Sequence, residues 1–171
     1  MTSARRIIRC TNLARLAVTA GLVVAVAATT GCEDDDPNAG HPDPVINVPD
    51  AFEGRLAEAR QEAIDRWPEY AAAFARPQGR RFATKHPFDT SDGGVEYLWI
   101  TTTRIDGDEL TGVIDNIPVA DIGYDYGDEV SRPITDLHDW IIATQTPDGE
   151  VDLTGGFSLP IVLEAERANE D

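Results

Sequence analysis

The side chains able to do chemistry in this chain are mostly carboxylates, and histidine is scarce: His41, His86 and His138. His138 is followed by Asp139, an order that would suit an acid–base pair. Neighbours along a strand point to opposite faces, however, so the two could not cooperate there. No His-Glu-x-x-His and no trio of histidines spells a zinc site. Ser158, in Gly156-Phe157-Ser158-Leu159-Pro160, lacks the glycine that would complete a nucleophile elbow. Gly155-Gly156 has no Lys-Ser/Thr ending and is not a phosphate loop. A glycosidase-like pair such as Glu96 with Asp115 is open by counting alone, but among so many acids any chosen pair is weak evidence. The sequence names no catalytic residue, no metal site and no cofactor.

The better functional candidate is the block Asp139-Trp140 followed by Gly155-Gly156. Glycine admits a close approach by backbone or ligand, and a tryptophan beside a carboxylate suits an amphipathic or cationic group. With Trp99 and Asn116 added, the candidate binding residues are Trp99, Asn116, Asp139, Trp140, Gly155 and Gly156. The structural alternative is plain: Trp140 fills the core, Asp139 caps a turn, the glycines permit a bulge, and Asn116-Ile117-Pro118 is a turn.

The start of the chain carries a different kind of information. Arg5, Arg6 and Arg9, with Arg15 close behind, precede the apolar run from Leu16 to Ala28, and Thr29-Thr30-Gly31-Cys32 follows. Charge, apolar stretch and small residues in that order are the anatomy of a secretory signal. The run is shorter than the roughly 20 residues a membrane span needs. The expectation is a lipoprotein signal over 1–31, cleaved so that Cys32 takes the lipid and holds the protein to a membrane of the cell envelope. Thr29 departs from the Leu more usual there; an uncleaved anchor and plain secretion are the alternatives. All three place the folded part outside the cytoplasm.

Cleavage would also sharpen the charge. The chain carries 14 basic and 31 acidic residues, net −17. Losing the four arginines of the signal and no acid leaves 10 against 31, net −21. A surface this acidic repels nucleic acid and anionic headgroups at long range, whereas a basic envelope protein would suit it. Cys10 leaves with the signal and Cys32 carries lipid, so no thiol remains for a disulfide, a zinc site or a nucleophile. The domain must be held by its core alone.

Residues 32–49 read as an acidic, proline-containing tether. They open on Glu33-Asp34-Asp35-Asp36 and carry Pro37, Pro42, Pro44 and Pro49. The acid run lacks the offsets of a calcium loop. A single domain is expected over 50–165, with a flexible acidic tail at 166–171. Asp50 and Glu53 suggest a capping box. Phe52, Leu56, Ala59, Ala63 and Trp67 then form one apolar stripe of a helix that Pro68 interrupts. A short second helix, Glu69 to Ala75, should lay Trp67, Tyr70 and Phe74 on a sheet. From Arg81 onward the pattern is strands and turns: Arg81–His86, Val95–Arg104, Glu109–Asp115, Glu129–Arg132, Leu137–Thr144, and a last apolar stretch at Phe157–Leu163. Asp106-Gly107 marks a hairpin, and Pro160 hints at an edge or bulge. The fold class is α+β: an N-terminal helix pair packed on a mostly antiparallel sheet of about five or six strands, compatible with closure into a barrel.

This order of elements, with Val95-Glu96-Tyr97-Leu98-Trp99-Ile100, Asp106-Gly107-Asp108, Gly112 and Asn116-Ile117-Pro118-Val119, resembles a bacterial family of YegJ-like proteins, domain of unknown function 2314. The resemblance continues through Gly127-Asp128-Glu129-Val130, Asp139-Trp140 and Gly155-Gly156-Phe157, and covers roughly residues 51–163. The chain departs from that pattern at Ile141-Ile142, where the family more often has Met and an aromatic, and in a longer loop from Thr144 to Leu153. The resemblance implies a fold and boundaries but no reaction. The functional expectation is a non-catalytic binding domain for a protein or small ligand; the alternative is a carboxylate-dependent hydrolase acting on envelope material.

Overall fold

In the computed structural model, residues 6–8 and 46–170 are described. Cys32, His41 and the acidic run at 33–36 lie outside them. A 3₁₀ turn, Asp50–Phe52, leads into α1, Glu53–Asp65, and α2 follows at Trp67–Phe74. The capping box expected from Asp50 and Glu53 does not form: Phe52 holds the cap position, with no side-chain hydrogen bond. The apolar stripe is as the spacing requires, with Leu56, Ala59 and Ala63 buried. Arg66 separates the helices, and Pro68 sits in the first turn of α2, where its missing N–H costs nothing.

Six strands make the sheet: β3 (Arg80–Asp89), β4 (Val95–Asp106), β5 (Glu109–Ile114), β6 (Glu129–Pro133), β7 (Asp139–Gln145) and β8 (Val151–Gly155). All their pairings are antiparallel, in the order β6-β5-β4-β3-β7-β8. Two short pieces, β1 (Arg6–Ile8) and β2 (Ile46–Asn47), extend it beside residues 95–97 of β4, with β1 parallel to β4. No pairing joins β6 to β8, so the sheet is open and the barrel compatible with the pattern is not realised. β8 occupies what looked like a long loop, entered through the turn at Pro147-Asp148-Gly149.

The end of the chain differs most from expectation. Phe157–Leu163 is not a strand: α3 runs from Leu159 to Glu170, through most of the segment expected to be a tail. Pro160 explains the misreading. Proline is excluded from central strands but fits equally well in a helix's first turn, and here it is the second helical residue.

Residues paired across the ladder share a face. Thr84 opposite Ile100 and Trp140, with Phe82, His86, Leu98 and Ile142, form the face under α1 and α2. Tyr70 Oη donates to Thr102 Oγ1 at 2.7 Å, and Trp140 Nε1 donates to the Ala63 carbonyl at 2.8 Å. Buried rings therefore bring their own polar partners with them. The opposite face carries Lys85, facing Trp99 on one side and Asp139 on the other. Here Tyr97 packs with Leu56 and Ala59 of α1 and Ile161 and Val162 of α3.

Candidate functional site

Asp139 is fully buried at the start of β7, and its carboxylate is saturated with donors. Oδ1 accepts from the N–H of Trp140 at 2.8 Å and of Phe157 at 3.1 Å. Oδ2 accepts from the N–H and the hydroxyl of Ser158 at 2.8 and 2.6 Å. These donors lead into the first turn of α3, so one carboxylate both satisfies orphan N–H groups and opposes the positive helix end. Burial pushes the Asp139 carboxyl above its ordinary value, while the Ser158 hydrogen bonds and the charge of Lys85 pull the other way. Lys85, itself 2% exposed, lies with its ammonium 5.4 Å from the centre of the Trp99 ring.

Gly155 and Gly156 complete the same clasp. Gly155 has φ +84°, and a Cβ there would lie 2.5 and 2.7 Å from Trp140 ring carbons, and closer still to the Trp140 carbonyl oxygen. Only glycine fits. That carbonyl accepts from Gly156 N–H at 2.8 Å. The block Asp139-Trp140…Gly155-Gly156 is thus brought together in space, as a junction of β7, β8 and α3.

The other sequence candidates divide. Trp99 and Trp140 are both wholly buried and lie on opposite faces of the sheet, so they form no exposed contact surface. Asn116 accepts the Trp99 N–H through Oδ1 at 2.8 Å, tying the loop after β5 to β4. Glu96 and Asp115 do not form an acid–base pair. Glu96 accepts the N–H groups of Val119 and Ala120 at 3.0 Å, whereas Asp115 accepts from Thr101 Oγ1 on the other face.

Beside the Asp139 junction lies a cavity of about 130 Å³, lined by Glu53 and Arg60 of α1, Lys85, Tyr97, His138 and Ser158 among others. Arg60 is steadied by donating to the carbonyls of Leu137 and Thr135 at 2.9 and 3.1 Å. The His138 ring packs on Tyr97 with centroids 4.2 Å apart, and the backbone N–H of His138 donates to the Lys85 carbonyl at 2.8 Å. His138 precedes β7 instead of lying within it, so strand alternation does not separate it from its neighbour: His138 and the Ser158 held by Asp139 line one cavity. None of the candidate binding residues Trp99, Asn116, Asp139, Trp140, Gly155 and Gly156 lines this cavity; of its side chains the sequence draws attention for chemistry only to His138, as an acid–base partner, and to Ser158, as a nucleophile. One signal was available, since Lys85 is a lone charge inside the alternating Phe82–Phe88 stretch. Among the described residues no group of three His, Cys, Asp or Glu is placed to hold a metal.

The fold and the cavity together define a small α+β domain, an open antiparallel sheet with helices before and after its six strands and a polar pocket between α1 and the approaches to β7 and α3. The chain belongs to the family described as an uncharacterised protein conserved in bacteria, domain of unknown function 2314, which it matches over residues 55–170. The match gives the family, and not the narrower YegJ-like label. No curated protein and no solved structure matches the chain.

Proposed function

We propose that the protein is a lipid-anchored envelope domain that binds, without turnover, the carboxylate end of a small ligand in the cavity beside Ser158. The observation that carries this reading is the convergence of Arg60, Lys85 and His138 with the Ser158 and Tyr97 side chains on a single pocket, opposed at its mouth by the exposed Glu53. Donors and cations gathered in a partly dry site favour an anionic group. The volume sets the scale, because a cavity of about 150 Å³ holds one benzene. An end-group fits here; a whole polymer does not.

The hydrolase alternative is weaker on this geometry. Asp139 has the raised carboxyl a general acid would need, but its oxygens are taken up by the Trp140 N–H and by the Phe157 and Ser158 groups that lead into α3. It acts as a clamp. Thermal unfolding with acetate, succinate, glycine or phosphate added tests the binding reading. A ligand at ten times its Kd adds about 1.4 kcal/mol. We expect succinate or acetate to raise the midpoint, and Lys85→Met or His138→Gln to remove the rise. No shift with either carboxylate, or an equal shift in both variants, would refute the reading; a shift with phosphate alone would move it to another anion.

The location rests on the order of Arg5–Arg15, Leu16–Ala28 and Cys32. Removal of residues 1–31 takes β1 with it but none of the six antiparallel strands or three helices. In a bacterial host fed radiolabelled palmitate, the chain should take up label and Cys32→Ser should not. An unlabelled wild-type chain in the membrane fraction would point to the uncleaved anchor instead.

A further inference from the structure

The loop between β5 and β6 is where the domain shows its apolar side chains. Eight large apolar or aromatic residues of the described chain are exposed, and four of them, Ile117, Val119, Tyr124 and Tyr126, fall within ten residues of this loop. Tyr124 and Tyr126 are 45% and 58% exposed. Scattered surface hydrophobics need no explanation, but a concentration of this kind does.

The loop is not loose. Its middle is anchored by Ile122, buried with Phe88, Leu98 and Val130. The buried Glu96 carboxylate accepts the Val119 and Ala120 N–H groups, and the Asp121 carbonyl accepts Ser91 N–H at 2.8 Å. Gly127 N–H donates to the Ile114 carbonyl at 3.0 Å, and Tyr124 leans on the Phe88 ring. Exposed rings on a segment already fixed bind without a large ordering cost.

Along the chain the charge of this stretch has one sign, and the cation that follows it, Arg132, lies over the Phe88 ring at 3.9 Å. From Ile105 through Ser131 there are eight acids (Asp106, Asp108, Glu109, Asp115, Asp121, Asp125, Asp128 and Glu129) and no lysine or arginine. We infer that this loop is a docking surface for a basic polypeptide segment, whose Lys or Arg side chains lie over Tyr124 and Tyr126 while the flanking acids steer it in. Cations on tyrosine faces and complementary potentials supply the two parts of such recognition. A second copy of this chain suits the surface less well, since two chains of net −17 repel.

The test uses the full-length chain in an uncharged detergent and a fluorescein-labelled octapeptide of alternating Arg and Ala, followed by anisotropy. The alternating Glu and Ala peptide is the control. Tyr124→Ala/Tyr126→Ala leaves the charge unchanged and should weaken binding about tenfold; Ile117→Ser/Val119→Ser is the second loop variant. Asp148→Asn/Glu150→Gln, which removes two charges at the β7–β8 turn, should weaken it by about twofold or less. Unchanged circular dichroism checks that the loop variants are folded. Three results would each overturn the inference: no binding by wild type, equal loss in the tyrosine and turn variants, or binding of the acidic peptide. Self-association in sedimentation that the tyrosine variant abolishes would overturn it in favour of a second copy.

Discussion

Asp139→Ala is expected to lose about 3–5 kcal/mol of folding stability in urea titration. The size follows from what the substitution strands. Three backbone N–H groups and the Ser158 hydroxyl lose at once an acceptor that is itself fully buried. Lys85, opposite on β3, loses an attracting charge. Burial raises the Asp139 carboxyl, so the anion is not there at no cost; even so, removing one member of a buried set costs more than the set is worth as a whole. Asp139→Asn keeps one acceptor oxygen but turns an N–H pair toward the Ser158 N–H, and should cost roughly half as much. The two variants would then order as wild type, Asn, Ala. An Ala variant within about 1 kcal/mol of wild type would show that α3 does not depend on this clamp. Because Ser158 lines the cavity, the same loss should blunt the carboxylate response, whereas Lys85→Met acts on the pocket without touching the donors.

How much of this was legible from residues is uneven, for physical reasons. The apolar stripe Leu56–Ala59–Ala63 and the Asp106-Gly107 turn are local, so α1, β4 and β5 could be placed within a few residues. The end of the chain could not. Pro160 is compatible with a strand edge and with a helix's first turn, and what decides between them is Asp139, nineteen positions earlier than Ser158. β8 was hidden for a related reason: an edge strand exposed along most of its length has no burial pattern to read. Asp139, Trp140, Gly155 and Gly156 stood out because their types are unusual together, and the structure gathers them; the structural alternative given for Trp140, a place in the core, is the one realised, and Trp99 is buried as well. The cavity was the least visible feature. Its residues come from α1, β3, β4 and the approaches to β7 and α3, and no spacing links Arg60 to Lys85 or Ser158.

His86 gives the remaining large effect, and it concerns pH. The ring is fully buried on the sheet face beneath Phe88 and Leu98's side of the core, and neither ring nitrogen has a hydrogen-bond partner among the described residues. Burial first, and the Arg132 guanidinium second, lower its pKa from 6.5 to about 3. The folded state therefore keeps the ring neutral while the unfolded chain takes up a proton once the pH drops below 6.5. Stability contributed in this way is complete above pH 6.5 and falls as the pH is lowered toward 3, with the unfolded state the better proton binder throughout that window. At pH 5 the loss amounts to about 2 kcal/mol. Asp139, raised by burial, acts with the opposite sign, because acidification relieves the cost of its buried charge. That contribution is common to wild type and to a His86 variant, so their difference isolates the histidine. His86→Leu, which faces Leu98 across the ladder, should match wild type in urea midpoint near pH 7.5 to within about 1 kcal/mol and exceed it by about 2 kcal/mol at pH 5. Parallel pH dependences in the two chains would mean that His86 takes up its proton in the folded state, and that the Arg132 side of the core opens to water on acidification.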